Sequence, residues 1–245
     1  MKYVKLTTRV IATWILVIGL MCVIKLYQQG KIHINNPNLN QYPIIGVDVS
    51  NHQGEIDWDV LADQGIGFAF IKSTEGSTYV DKHFYDNWEN AYRTGLRIGA
   101  YHFFSFDSPG KTQAELFCST VKQVDNMLPP VVDVEYYGKY QSKKDLDIPK
   151  IKKELRVLVD ILEEHYGMKP IIYCGLLYDS VIKEDFKDCD LWYAQVYMPL
   201  FNKKDVDFWQ YSNNHILQGY SGAEKFIDMN MFMGSKEEFD IYPNK

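Results

Sequence analysis

The sequence predicts an α/β domain closed into an irregular barrel of about eight strands, with few helices in its last third, behind an N-terminal transmembrane helix. Three observations predict it. Short β-branched runs alternate with helical periodicities along the 245 residues, and repeated β-α alternation implies a parallel sheet. Eight strand-like runs suffice for closure at a length usual for one barrel. The helical pattern thins after Tyr166, so the barrel should be partly bare on one side.

Val10 to Ile24 is almost unbroken apolar, and with its extension to Tyr27 it approaches the ~17–25 residues of a spanning helix. Lys2, Lys5 and Arg9 flank it on one side, and Lys25 can snorkel at the other. A cleaved secretory signal is the competing reading. Its apolar region should be shorter and followed by a small-x-small site, whereas Lys-Leu-Tyr-Gln-Gln follows here. The expectation is an uncleaved anchor at residues 10–27, after a cytoplasmic basic flank at 1–9, with the remainder exported. A polar, Asn-rich linker spans 28–42, the barrel 43–235, and a C-terminal tail 236–245.

Within the barrel, Ile44–Val49 reads as the first strand, Asp57–Gln64 as a short helix and Phe68–Lys72 as the second strand. Phe84, Trp88, Ala91 and Tyr92 then mark one buried helix face, stopped by Gly95. Arg97–Phe104 is the third strand, and Ser108-Pro109 has the chemistry of a helix start, with Cys118 on that helix's apolar face. Val131–Glu135 is the fourth strand, and Ile148–Tyr166 is the longest helix, with Gly167 as its stop. Pro170–Cys174, Leu191–Val196, Asp207–Tyr211 and Phe226–Met231 complete the set.

Residues 1–27 carry four of the 26 basic residues and none of the 32 acidic ones, so the rest has a net charge of −10. An acidic domain without a basic stripe argues against nucleic-acid binding. The four cysteines, Cys22, Cys118, Cys174 and Cys189, show no metal-ligand spacing, so no thiolate metal site and no cofactor is expected. Whether Cys174 and Cys189 pair is left open by spacing.

The run Pro-Pro-Val-Val-Asp-Val-Glu, ending in Asp133 and Glu135, carries the most chemistry. Alternation along a strand points both carboxylates to one face, roughly 6–7 Å apart. Two acids at a strand's C-terminal end are costly to bury unless they react, and glycoside cleavage is the chemistry that most often uses such a pair. In β/α barrels, sites gather at strand C-terminal ends. There the sequence places Asp48, Glu75, His102, Asp133 with Glu135, Tyr173 and Gln195.

Several stretches in order resemble glycoside hydrolase family 25, the Chalaropsis-type lysozymes. They are Gly46-Val-Asp-Val-Ser-Asn-His-Gln-Gly54 with Ile56-Asp-Trp58, and Phe70-Ile-Lys-Ser-Thr-Glu-Gly76 with Tyr79 and Asp81. Gly95-Leu-Arg-Ile-Gly-Ala-Tyr-His-Phe-Phe104 and Asp133-Val-Glu135 follow. Leu191-Trp-Tyr-Ala194, Trp209-Gln-Tyr-Ser212 and Ile227-Asp-Met-Asn230 complete the match, over about residues 43–235. The resemblance implies a flattened β/α barrel and cleavage of the β-1,4 bond between N-acetylmuramic acid and N-acetylglucosamine in peptidoglycan. Met229, Met231 and Cys174 depart mildly from the family pattern.

Combined with the strand pattern, the resemblance assigns Glu135 as general acid, its pKa raised by burial and by Asp133. Asp133 is expected to stabilise the anomeric centre or to hold an attacking acetamido group of the substrate. Asp48 and Asp228 should orient and tune that pair, with Glu75 in support or merely paired with Lys72. Tyr101, Phe103, Tyr173, Trp192 and Trp209 are candidate groove aromatics, and Gln195 and Gln210 candidate donors to sugar hydroxyls. His52 and His102 read as hydrogen-bonded structural residues. Two rival readings stand beside this one: a metal-dependent deacetylase using Asp48, His102 and Asp133, and a non-catalytic wall-binding barrel.

Overall fold

The computed structural model describes residues 2–200 and 205–243. The side chains of Lys2, Lys5 and Arg9, and the last two residues of the expected tail, lie outside the described residues. Helix α1 (Lys2–Gln28) contains a 19-residue segment, Val10–Gln28, that is long and apolar enough to cross a membrane. Its side chains from Val10 onward are largely exposed, unlike those of a core helix.

The strands are β1 (Ile45–Val49), β2 (Phe68–Glu75), β3 (Tyr79–Val80), β4 (Arg97–Phe103), β5 (Val131–Val134), β6 (Ile171–Cys174), β7 (Asp190–Ala194), β8 (Phe208–His215) and β9 (Ile227–Phe232). Eight of them close a barrel in the order β1-β9-β8-β7-β6-β5-β4-β2, with β2 pairing back to β1 and the two-residue β3 appended at the edge of β2. The helices that follow α1 are α2 (Trp58–Ala62), α3 (Phe84–Arg93), α4 (Gly110–Thr120), α5 (Ile148–Tyr166) and α6 (Lys236–Ile241).

The sequence implied a parallel sheet, and all barrel pairings are parallel except those of β9, which runs antiparallel to both β8 and β1. No helix separates β8 from β9, so the chain turns back as a hairpin instead of crossing over. The reversal has a consequence for chemistry. The beginning of β9, with Asp228, lies level with the C-terminal ends of the other strands; Asp48 and Asp228 are register partners.

Alternation sorts the side chains of each strand into two cores. Outside the barrel, Val47, Ile71, Ile98, Val132, Ile172 and Leu191 meet the apolar faces of the helices. Inside, Phe68, Phe70, Val131, Ile171, Trp192, Phe208 and Phe232 fill the lower half. Gly46 and Gly99 make room for two of these rings, since a Cβ on either would lie 2.6 Å from Phe68 or 2.7 Å from Phe70. The residues expected as a C-terminal tail instead close the bottom. Phe239 and Tyr242 pack against Phe68, Phe208 and Phe232, and Arg97 donates to the carbonyls of both.

One local expectation is refined. Helix α4 has no side-chain cap from Ser108; Pro109 occupies the cap, and the Gly110 N–H is taken by Glu154 of α5 at 2.8 Å. Helix α5 follows its sequence signals, with Asp147 capping Lys150 N–H and left-handed Gly167 at its end. Cys118 is partly buried on α4, and no disulfide joins Cys174 to Cys189.

Candidate active site

At the C-terminal rim the barrel opens into a cavity of about 810 Å³. Its lining includes Asp48, Asp133, Glu135 and Asp228, from β1, β5, the residue after β5, and β9. Each occupies an inward position one or two alternations above the apolar floor: Val131 precedes Asp133, and Phe232 lies four residues beyond Asp228.

Asp48 is held most firmly. One of its carboxylate oxygens accepts from Gln210 Nε2 at 2.9 Å and from Asn230 Nδ2 at 2.8 Å. Burial nevertheless pushes its pKa up to about 6, against those two hydrogen bonds. Asp133 is 6% exposed, and its Oδ1 is buried without a hydrogen-bond partner. Burial first, then the charge of Glu135, holds Asp133 well above the ordinary carboxylate range, while Lys72 pulls it down. Glu135 is pushed up to about 7 by burial and by Asp48, with the Tyr173 hydroxyl opposing. Asp228 is raised well above its ordinary value by burial, then by Asp48 and Glu135. Four acids in one low-dielectric hollow cannot all ionise, so the cluster retains protons near neutral pH.

The floor is aromatic. Trp192 stacks on Phe70 with ring centroids 4.5 Å apart, meets Tyr173 edge-on, and donates from Nε1 to Asn230 Oδ1 at 2.8 Å. Asn230 therefore links the floor to Asp48. The Tyr173 hydroxyl donates to Gln210 Oε1 at 3.0 Å, so Gln210 couples Tyr173 to Asp48 in turn. Tyr101, Phe103 and Gln195 also line the cavity, Gln195 lying just past β7.

One sequence expectation is revised, one alternative is favoured and one rival ligand set is taken apart. Trp209 does not line the cavity: it neighbours the inward Gln210 and so must face outward, where it joins the outer core and donates to the Gln195 carbonyl at 3.1 Å. Glu75 also lies outside the lining; its half-exposed carboxylate pairs with Lys72 Nζ at 2.7 Å, and its charge adds to those that raise Asp133. The ligand set Asp48, His102 and Asp133 is split across the sheet. His102 points outward, hydrogen-bonded to Thr74 and Gln113, and its burial lowers its pKa to about 4. His52 lies at the cavity edge.

Two residues escaped the sequence reading. Lys72 is the one lysine or arginine among the described residues lining the cavity, 5.1 Å from the Phe103 ring centroid. A one-residue bulge at Ser73 shifts the register between β2 and β4, so Lys72 and Glu75, at odd spacing, share a face. Nothing in the local sequence marks that bulge. Asn230 was legible in principle, two residues from Asp228 and hence on its face.

Comparison with known proteins agrees with this fold. Residues 47–220 match the family described as Glycosyl hydrolases family 25. A family 25 glycosyl hydrolase structure from Bacillus anthracis superposes with a TM-score of 0.78 at 48% identity, covering 86% of this chain and 97% of that one. The bacterial lysozyme of Streptomyces coelicolor gives 0.72 at 28% identity, covering 82% and 97%. YegX of Escherichia coli (strain K12) is 36% identical over 212 residues, 82% of this chain and 74% of its own length. The chain belongs to glycosyl hydrolase family 25 and is a lysozyme-type glycoside hydrolase.

Proposed function

We propose that the chain cleaves the β-1,4 bond between N-acetylmuramic acid and N-acetylglucosamine in peptidoglycan, with Glu135 as general acid. The observation that carries this reading is the unequal protonation environment of the acids sharing one open cavity. A carboxyl held near 7 retains much of its proton around neutral pH and can give it to the glycosidic oxygen as the bond breaks. Asp133 lines the same cavity as Glu135 on the same face of one strand end, which suits its carboxyl to hold the N–H of a substrate acetamido group.

That pairing favours the substrate-assisted route. The acetamido carbonyl oxygen attacks the anomeric carbon, the leaving oxygen takes the Glu135 proton, and water then opens the resulting ring while Glu135 recovers a proton. Asp48 and Asp228 tune the pair. Tyr101, Phe103 and Gln195 form the sugar-contacting surface, over a floor of Tyr173, Trp192 and Gln210. A substrate lacking the 2-acetamido carbonyl should be almost inert; brisk cleavage of it removes the assisted route.

We further propose that Val10–Gln28 anchors the protein in the membrane with the barrel outside, for trimming of nearby wall. Recovery of the mature protein free in the medium, lacking this segment, would overturn the anchor. The decisive experiment for the reaction is mass spectrometry of digested peptidoglycan. New reducing ends on N-acetylmuramic acid support the assignment; new ends on N-acetylglucosamine, or no soluble fragments, refute it.

A further inference from the structure

The polar segment after α1 does not hang free. Asn35, 4% exposed, donates from Nδ2 to three backbone carbonyls: Gln195 at 2.9 Å, Val196 at 3.1 Å and Tyr211 at 2.8 Å. With acceptors on every side of that nitrogen, only the amide NH₂ fits there. The His33 ring stacks on His215 at 3.6 Å, and its Nδ1 lies 2.9 Å from Asn214 Oδ1. Asn214 Nδ2 in turn reaches the carbonyls of Tyr27 and Ile32, each at 3.1 Å. At Gly30, in the left-handed region, an added Cβ would lie 2.6 Å from the Asn214 carbonyl and 2.9 Å from the Phe226 ring.

Three of the residues met in this way, Gln195, Val196 and Phe226, line the cavity. Gln195 and Val196 continue into Tyr197 and Met198 as one wall, and Phe226 belongs to the adjoining one. The Gln195 carbonyl is shared between Asn35 and Trp209, so the outward-facing Trp209 still bears on the cleft wall. All these contacts lie at the rim, the end of the barrel opposite α6.

We propose that the segment joining α1 to the barrel is a buttress of the glycan cleft, with Asn35 a positioning residue that sets the Gln195–Met198 wall. Glycan affinity then depends on a juxtamembrane residue that does not itself line the cavity. This inference rests on reading the cavity as the glycan site.

The test uses the full chain in detergent micelles, comparing wild type with Asn35→Ala and Asn35→Asp. The expected result is a KM for soluble glycan strands raised about five- to tenfold in Asn35→Ala, with kcat within about twofold. Asn35→Asp should be worse, because it sets a carboxylate against three carbonyl oxygens. In a Glu135→Gln background the dissociation constant of a glycan oligomer should rise by the same factor, so the wall is read independently of hydrolysis. Unchanged KM and affinity in both variants overturn the proposal, as does a lowered melting temperature with unchanged KM. Should both variants fail to fold, His33→Ala removes only the stack and the Asn214 contact. A roughly twofold rise in KM there supports the buttress, and no change overturns it. A wild type that releases no fragments refutes the proposed reaction, while the binding comparison still decides the wall.

Discussion

The two halves of the barrel interior are built on the same strands and differ by one or two steps of alternation. Below, Phe68, Phe70, Val131, Ile171, Phe208 and Phe232 form a sealed layer capped by Phe239 and Tyr242. Above, inward positions on the same strands become Lys72, Asp133, Tyr173, Gln210 and Asp228. The difference teaches how this fold makes reactive acids. The lower layer is apolar and fully buried, so it supplies the low dielectric that lifts the carboxyl pKa values. The upper layer supplies only enough polar partners to keep Asp48 anchored, leaving Asp133 Oδ1 without any.

The sharpest way to break the comparison is to neutralise the acid. Glu135→Gln should lower turnover by about 10²–10⁴-fold, with the far-ultraviolet circular dichroism spectrum unchanged and glycan binding retained. Near-normal release of reducing ends would remove Glu135 from its role. Breaking the lower layer should show the opposite pattern. Phe208→Ala should cost about 3–5 kcal/mol in denaturant unfolding, because the ring is fully buried among Phe68, Phe70, Phe232 and Tyr242.

The coupling between the layers is read by pH. Activity should fall as pH rises through about 7, where Glu135 loses its proton. In Asp48→Asn the nearby negative charge is gone, so Glu135 is less raised and the alkaline limb should move to lower pH. An unmoved limb would separate Asp48 from the acid. Stability should follow the same groups. Glu135 and Asp48 are raised from 4.5 and 3.8 to about 7 and about 6, so the folded state holds their protons more tightly than the unfolded chain does. Their contribution is complete below about pH 4 and lost as pH climbs through 6 to 7. The melting temperature should therefore decline across that window, and less steeply in Glu135→Gln. The smallest effect is expected at Glu75→Gln. Its half-exposed ion pair with Lys72 contributes about 0–1 kcal/mol, and turnover should change by only a few-fold.

Much of this site was legible because strand alternation is a local rule. Asp133 and Glu135 share a face at any register, as do Tyr101 and Phe103, and the apolar runs around them predicted their burial. The same rule, applied strictly, would have excluded Trp209 once Gln210 was placed inside. Lys72 and Glu75 were illegible for the converse reason: the Ser73 bulge breaks the alternation, and a bulge is fixed by how β2 fits β4. The expected tail was misjudged because the short run around Phe239 shows its purpose only against the barrel's lower opening.

What the sequence by itself determined was the eight barrel strands, the helix stops and the face shared by Asp133 and Glu135, since these follow from backbone sterics and periodicity within a few residues. What only the tertiary structure decided was convergence. The reversed β9 puts Asp228 beside Asp48, Asn230 ties that aspartate to the Trp192 floor, and Asn35 crosses 160 residues of sequence to hold the cleft wall. Those contacts join segments far apart in the chain. Their geometry is set by closure of the sheet and by the demand that buried polar groups find partners, and neither is a property of any local stretch.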